Sequence, residues 1–185
     1  SVLLGLNADA ALHGISDVPQ VPGRFQIIGK GKKKAIVDYS HTPDSLKKTL
    51  EVIHGITKNK IPVYTVVGCG GDRDALKRPF MGKIASELSK KAFITSDNPR
   101  FEDPMKIIND IVKGIDNNNF EVIEEREKAI HKAIIESENE AVILIAGKGH
   151  ETTQIIGEKE IPFNETEIVL HAINRKKEKT KRTRL

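Results

Sequence analysis

The chain has 185 residues, of which 38% are hydrophobic and 30% charged, enough apolar content for a packed core and too much for disorder throughout. Its single cysteine, Cys69, excludes a disulfide framework and a cysteine-built zinc site and suits a reducing compartment. The net charge of +4 is unevenly placed: residues 175–185 hold seven basic residues and one acid, which leaves 23 basic and 25 acidic residues before them, so a globally basic nucleic-acid-binding face is not indicated.

Residues 1–22 read as the end of a short apolar helix followed by a connection bracketed by Pro19 and Pro22, as in a linker entering a domain. They carry no basic leader, and no run anywhere approaches the roughly eighteen apolar residues of a membrane span. The first residue is Ser, so a processed chain or a fragment is expected. Gly29-Lys30-Gly31 precedes no helix and reads as a hairpin turn.

From Lys34 the pattern alternates. Ala35-Ile36-Val37 is a buried strand ending at Asp38-Tyr39. Thr42 and Pro43 are a helix N-cap and a proline in first position, with Leu46, Leu50 and Ile53 at helical spacing behind them. Residues 63–67 form the next strand, ending in Gly68-Cys69-Gly70-Gly71. A helix follows Pro79, with Met81, Ile84, Ala85 and Leu88 on one face. The strand over 92–95 ends in Asp97-Asn98-Pro99-Arg100. Pro104 opens a helix that turns Ile107, Ile108, Ile111, Val112 and Ile115 inward. Val122-Ile123 is a short strand, and Ala129, Ile130, Ala133 and Ile134 mark another helix. The strand over 141–146 is the most apolar and ends in Gly147-Lys148-Gly149-His150-Glu151. Residues 153–163 make a hairpin turning at Gly157-Glu158, and Asn164 caps a last helix with Glu167 as its capping-box partner. Strands alternating with helices predict an open α/β domain. It is Rossmann-like, with a mostly parallel sheet, helices on both faces and a C-terminal hairpin. Residues 175–185 are expected to be a disordered basic tail.

Parallel strands place their carboxyl ends on one edge, where open α/β folds bind ligands. Four segments fall there: Asp38-Tyr39-Ser40-His41, Gly70-Gly71-Asp72-Arg73-Asp74, Asp97-Asn98-Pro99-Arg100 and Gly147-Lys148-Gly149-His150-Glu151. Any one of them alone is an ordinary polar turn. Together they gather two arginines able to grip a carboxylate or phosphate and two acids, Asp97 and Glu151, able to hold an ammonium group. That mixture suits a zwitterion such as an amino acid. Glycines 70, 71, 147 and 149 let backbone amides approach an anion. No Walker-type phosphate loop is present. His41 and His150 suit acid–base or metal chemistry without a diagnostic spacing. His13, His54, His131 and His171 lie in helical stretches and read as structural or solvated. Cys69 reads as a small buried residue.

The same segments, with Pro22-Gly23-Arg24-Phe25, Thr42-Pro43-Asp44 and Lys77-Arg78-Pro79 in register, resemble the C-terminal part of a Mur ligase. The likeness is to the kind that adds the third peptide residue to UDP-N-acetylmuramoyl-L-alanyl-D-glutamate. It covers nearly all of the chain except the tail. It implies an ATP-dependent, amide-forming ligase of cell-wall synthesis in the bacterial cytoplasm, working through an acyl phosphate. By position, the resemblance implies that Arg24 contacts ATP phosphates and Asp38 the ribose, and that His41 faces the reacting groups as the catalytic candidate. It gives Arg73, Asp97, Asn98, Pro99, Arg100, Gly147 and Glu151 to the incoming amino acid. The Asp-Asn-Pro-Arg form implies meso-diaminopimelate, with Arg100 on the distal carboxylate that lysine lacks. ATP and Mg2+ are implied as bound mainly by a central ATPase domain absent from this chain, with no metal ligand here. Residues 1–22 would be the trailing end of that domain and its linker, and 23–174 the amino-acid-binding domain, inactive alone. Partners implied are the UDP-N-acetylmuramoyl dipeptide and meso-diaminopimelate, with no nucleic acid, no membrane and a monomeric state. Ala75-Leu76 departs from the family's more polar or glycine-containing pair.

Two alternatives follow from the same residues. One is a related ligase adding lysine, building folylpolyglutamate or building cyanophycin, which would not be expected to carry Asp-Asn-Pro-Arg. The other is a non-catalytic nucleotide or nucleic-acid binding module using the basic tail. The mildly acidic body and the lack of Gly-x-Gly-x-x-Gly after the first strand argue against it.

Overall fold

The computed structural model describes the backbone of residues 5, 7–29 and 31–182, and the side chains of these except 15 and 175–182. Readings that fall on 1–4, 6, 30 and 183–185 lie outside the described residues. A short helix, α1 (Ala8–Ser16), precedes a six-stranded sheet built from β1 (Gln26–Ile28), β2 (Lys33–Asp38), β3 (Val63–Val67), β4 (Lys91–Ile94), β5 (Phe120–Val122) and β6 (Ala141–Ala146). The spatial order is β1-β2-β6-β3-β4-β5. Only β1 runs antiparallel; the other pairings are parallel. The open, mostly parallel α/β architecture expected from the sequence is therefore present. β1 carries no sequence signal of its own, being three residues that pair with β2 as an edge.

The strands look uniformly apolar in sequence because both faces are covered. In β6, Val142, Leu144 and Ala146 face one core; Ala141, Ile143 and Ile145 face the other. The first core receives α2 (Pro43–Thr57) through Leu46, Leu50 and Ile53. It also receives α3 (Arg78–Glu87) through Met81 and Ala85, and α4 (Pro104–Val112) through Ile107, Ile108 and Ile111. The second receives α5 (Arg126–Glu136) through Ala129, Ile130, Ala133 and Ile134, and α6 (Glu165–Arg182) through Val169 and Ala172. Each fully buried Leu or Ile contributes about 1.5–3 kcal/mol relative to exposure, so these stripes dock the helices.

Local chemistry sets the helix ends. Thr42 accepts from the Ser45 amide while the Ser45 hydroxyl accepts from the Thr42 amide, a capping box with Pro43 in the first turn. Asp103 caps α4 by accepting from the Met105 amide at 2.8 Å. That helix stops at Val112, so Ile115 packs on the core from beyond its end. Asn164 accepts from the Thr166 amide at 3.1 Å and donates to the Glu167 carboxylate at 3.1 Å, so the reciprocal bond reaches its side-chain amide rather than its backbone. The expected hairpin is β7 (Thr153–Ile156) and β8 (Lys159–Pro162), turning at Gly157-Glu158. α6 runs on to Arg182, across the start of the expected disordered tail. No glycine or proline interrupts 165–185, and Lys, Arg and Glu favour helix.

β6 returns from the far edge to lie between β2 and β3. From β3 the chain leaves toward α3 on one face, and from its neighbour β6 it leaves toward the hairpin and α6 on the other. The carboxyl ends of β3 and β6 thus form a topological switch point, the place where such sheets hold ligands.

Candidate active site

The four loops singled out in the sequence meet at this edge. A cavity of about 410 Å³ opens between them. His41, Arg73, Asp97, Asn98, Arg100, Gly147 and Glu151 all line it. Three other expected residues lie outside it. Arg24 and Asp38 stand at its flank, and Pro99 packs its carbonyl against Gly71, where an added Cβ would lie 1.9 Å away. A larger cavity of about 790 Å³ opens at the opposite sheet edge, around Pro62 and Val63. It holds none of the four loops.

Backbone amides lace two of the loops together. Gly71 N donates to Asn98 O at 2.9 Å, Asp72 N to Glu102 Oε1 at 2.6 Å and Phe101 N to Asp72 Oδ2 at 3.1 Å. Arg100 has a positive φ of 52°, a left-handed backbone that costs a non-glycine residue about 1–2 kcal/mol. The hairpin holds it there. Arg100 N donates to Ile155 O at 3.1 Å, and Gly157 N donates to Arg100 O at 2.7 Å. Its guanidinium donates to Gly71 O at 2.9 Å, which turns it toward the cavity mouth. Arg73 is exposed, and among the described residues it donates only to the carbonyl of Asp72 next to it, at 3.1 Å. Its remaining donors suit an incoming anion.

On the acidic side, Asp97 and Asn98 are buried at the end of β4, and Glu151 is half-buried after β6. Asn98 Nδ2 donates to Glu151 Oε2 at 2.8 Å. Gly147 has φ +124°, and a Cβ there would sit 2.6 Å from Asp97 Oδ2. Only glycine lets the β6 loop pass so close to that carboxylate.

Tyr39, which carries no motif role, organises the flank. The Arg24 guanidinium lies 4.3 Å from its ring centroid. The His41 and His150 rings lie 4.5 Å and 5.1 Å from it. His41 Nδ1 lies 2.9 Å from Tyr39 O. A carbonyl only accepts, so Nδ1 carries the proton and Nε2 is the bare nitrogen of the neutral ring. Asp38 fixes this flank: Oδ2 accepts from Phe25 N at 2.8 Å, and Oδ1 accepts from Ser40 and Thr49. A carboxylate accepts about four bonds, so one place remains for an outside donor. Among the described residues no three His, Cys, Asp or Glu side chains converge to hold a metal ion.

Sequence pattern assigns no role to three cations behind the cavity. Arg78 is buried against Glu102 at 2.8 Å and Asp110 at 3.1 Å. Arg126 is buried against Glu165. Lys148 is buried beneath Asp97, Asn98 and Glu151. Burial of Cys69 pushes its thiol up to about 12, consistent with a packing residue and not a nucleophile.

Comparison with known proteins decides the family. A family model described as the Mur ligase, glutamate ligase domain matches residues 23–149. The chain belongs to the Mur ligase, glutamate ligase domain, family. This Mur ligase domain is 49% identical over 169 residues to the UDP-N-acetylmuramoyl-L-alanyl-D-glutamate–2,6-diaminopimelate ligase of Clostridium perfringens, covering 90% of this chain and 34% of that protein. It is 46% identical over 168 residues to the ligase of the same description from Clostridium acetobutylicum, covering 89% of this chain and 34% of that protein. A solved structure of a UDP-N-acetylmuramoyl-L-alanyl-D-glutamate–2,6-diaminopimelate ligase superposes with a TM-score of 0.78 at 34% identity, over 95% of this chain and 36% of that one. The chain spans about a third of the length of the curated relatives it matches. A folylpolyglutamate synthase from Thermotoga maritima, at 24% identity and a TM-score of 0.53 over 76% of this chain and 31% of that one, shares the fold. Among the described residues no helix is long and apolar enough to cross a membrane.

Proposed function

We propose that this Mur ligase domain receives the incoming amino acid of an ATP-dependent, amide-forming ligase, and that the amino acid is meso-diaminopimelate. The carrying observation is that Arg73 and Arg100 share one polar cavity with Asp97, Asn98 and Glu151. Each end of diaminopimelate bears an ammonium group and a carboxylate. The arginines suit the carboxylate of the non-reacting end, and the acidic side suits its ammonium. Lysine lacks that carboxylate, so in its complex Arg100 would lose its charged partner, a strong discriminant. The identities of 46% and 49% to two diaminopimelate ligases support the reading.

The chemistry follows from the carboxylate of the UDP-N-acetylmuramoyl dipeptide, a poor electrophile. ATP supplies the phosphoryl group that makes it an acyl phosphate, releasing ADP. The amine of the amino acid then attacks that carbonyl, the C–O bond to phosphate breaks, and the amine loses a proton. The residues here bind and orient the amine. His41, with Nε2 bare, stands at the cavity wall as the candidate for the departing proton. Arg24, held on Tyr39, suits the nucleotide phosphates, and the remaining acceptor place of Asp38 suits a ribose hydroxyl. ATP and Mg2+ are held, in this reading, mainly by the rest of the ligase. In this reading residues 1–22 are the trailing end and linker of the central domain and 23–174 the amino-acid-binding domain. The intact enzyme works as a monomer in the bacterial cytoplasm without a nucleic-acid partner.

The test is amino-acid-dependent ADP release by the intact ligase with the UDP-linked dipeptide. Meso-diaminopimelate is expected to support turnover at least about tenfold better than lysine or glutamate in kcat/KM. A preference for lysine or glutamate would overturn the substrate assignment.

A further inference from the structure

Lys148 is fully buried, with its side chain 0% exposed. A buried ammonium is costly unless its charge and its protons are met. Its Nζ lies 2.7 Å from Asn98 Oδ1, 3.2 Å from Glu151 Oε2 and 3.9 Å from Asp97 Oδ1. These are three of the residues to which the proposed function gives the amino acid. Gly149, at φ +55°, leaves no space for a side chain, since a Cβ there would lie 2.6 Å from Gly23 O. With Gly147 before it, the turn delivers the lysine inward.

We infer that Lys148 is a positioning residue that sets the charge and the shape of the ammonium-binding side of the cavity. Charge comes first. Asp97 and Glu151 together carry two negative charges, and Lys148 offsets one. One negative charge remains, the complement of a single ammonium group. Shape follows from Asn98. An ammonium only donates, so Lys148 selects which end of the Asn98 amide faces it. Oδ1 accepts from Lys148 Nζ at 2.7 Å and from Ile155 N at 3.0 Å. Nδ2 is thereby turned to Glu151 Oε2 at 2.8 Å. Glu151 receives from both Asn98 and Lys148, and its orientation depends on both. Lys148 touches no substrate in this account; it acts through Asp97, Asn98 and Glu151.

This inference rests on the proposed function, and its test separates the two. In the intact ligase, wild type is first assayed with meso-diaminopimelate, lysine and glutamate, and the amino acid it prefers is used throughout. A preference other than meso-diaminopimelate defeats the proposed function and leaves Lys148 to be tested on the preferred one. Lys148→Met is expected to raise KM for that amino acid at least about tenfold, the scale of a lost charged hydrogen bond. KM for ATP and for the UDP-linked dipeptide should stay within about twofold. Lys148→Arg keeps the charge and is expected to recover part of the loss; it decides the question if the methionine variant does not fold. Lys148→Met combined with Glu151→Gln is expected to lose less than the product of the two single losses, because the charge balance returns. An unchanged amino-acid KM in Lys148→Met overturns the inference. So does a parallel rise in all three KM values, or a loss equal in Lys148→Arg and Lys148→Met.

Discussion

Arg126 Nε donates to Glu165 Oε1 at 2.7 Å, and neither side chain is exposed to solvent. The pair joins the first turn of α5 to the first turn of α6. Arg126 also donates to Ala146 O at 2.8 Å, at the carboxyl end of β6, and reaches Ser96 O at 3.5 Å, just past β4. Those carbonyls immediately precede Gly147 and Asp97. The buried guanidinium therefore ties together the two loops that form the acidic side of the cavity.

Removing one partner of such a pair strands the other charge. Glu165→Leu is expected to lower unfolding free energy by about 3–5 kcal/mol, and Arg126→Met with Glu165→Leu to recover most of it. Equilibrium urea unfolding measures both. A change below about 1 kcal/mol in Glu165→Leu would contradict the assignment.

The second buried arginine predicts an acid response. The Arg78 hydrogen bond, with that of the Asp72 amide, holds the Glu102 carboxyl below its ordinary range. Lys113 first, then Arg78, does the same for Asp110. Both carboxyls bind protons less readily folded than unfolded. Their contribution is thus present above the ordinary carboxylate range and lost as pH falls through their lowered folded values. Stability should fall between about pH 5 and pH 3, and fall less steeply in Glu102→Gln. Urea midpoints across that range measure it; an equal slope in the variant would remove Glu102 from the account.

Cys69 should be silent in the folded protein. With its thiol pushed up to about 12 by burial, almost no thiolate exists near neutrality. A chromogenic disulfide reagent at mildly alkaline pH is expected to leave the folded domain unlabelled and to label one thiol after urea is added. Rapid labelling of the folded domain would refute the burial argument.

Elements whose cause is local could be read from the sequence. Thr42-Pro43 and Pro104 start helices because a cap or a proline needs only its neighbours, whereas the Asp103 cap before Pro104 came only with the structure. The hairpin at Gly157 and the four loops at strand ends follow from turn chemistry and strand order. What escaped depends on partners far along the chain. β1 is a strand only because β2 offers it an edge. Arg78 meets Glu102 and Asp110, Arg126 meets Glu165, and Lys148 meets Asn98. In sequence each of these cations looks like any solvated charge. Tyr39 lies within one of the four loops, yet its role as a platform for Arg24, His41 and His150 depends on the fold.

In the proposed function the carboxyl edge of this sheet recognises an amino acid by a carboxylate on Arg100 as well as by its ammonium group. The most direct measurement is the ratio of kcat/KM for meso-diaminopimelate to that for lysine, in the intact ligase and in its Arg100→Ala variant. The ratio is expected to fall at least about tenfold, because the variant loses a charged hydrogen bond that only diaminopimelate makes. A ratio unchanged by the substitution would contradict it.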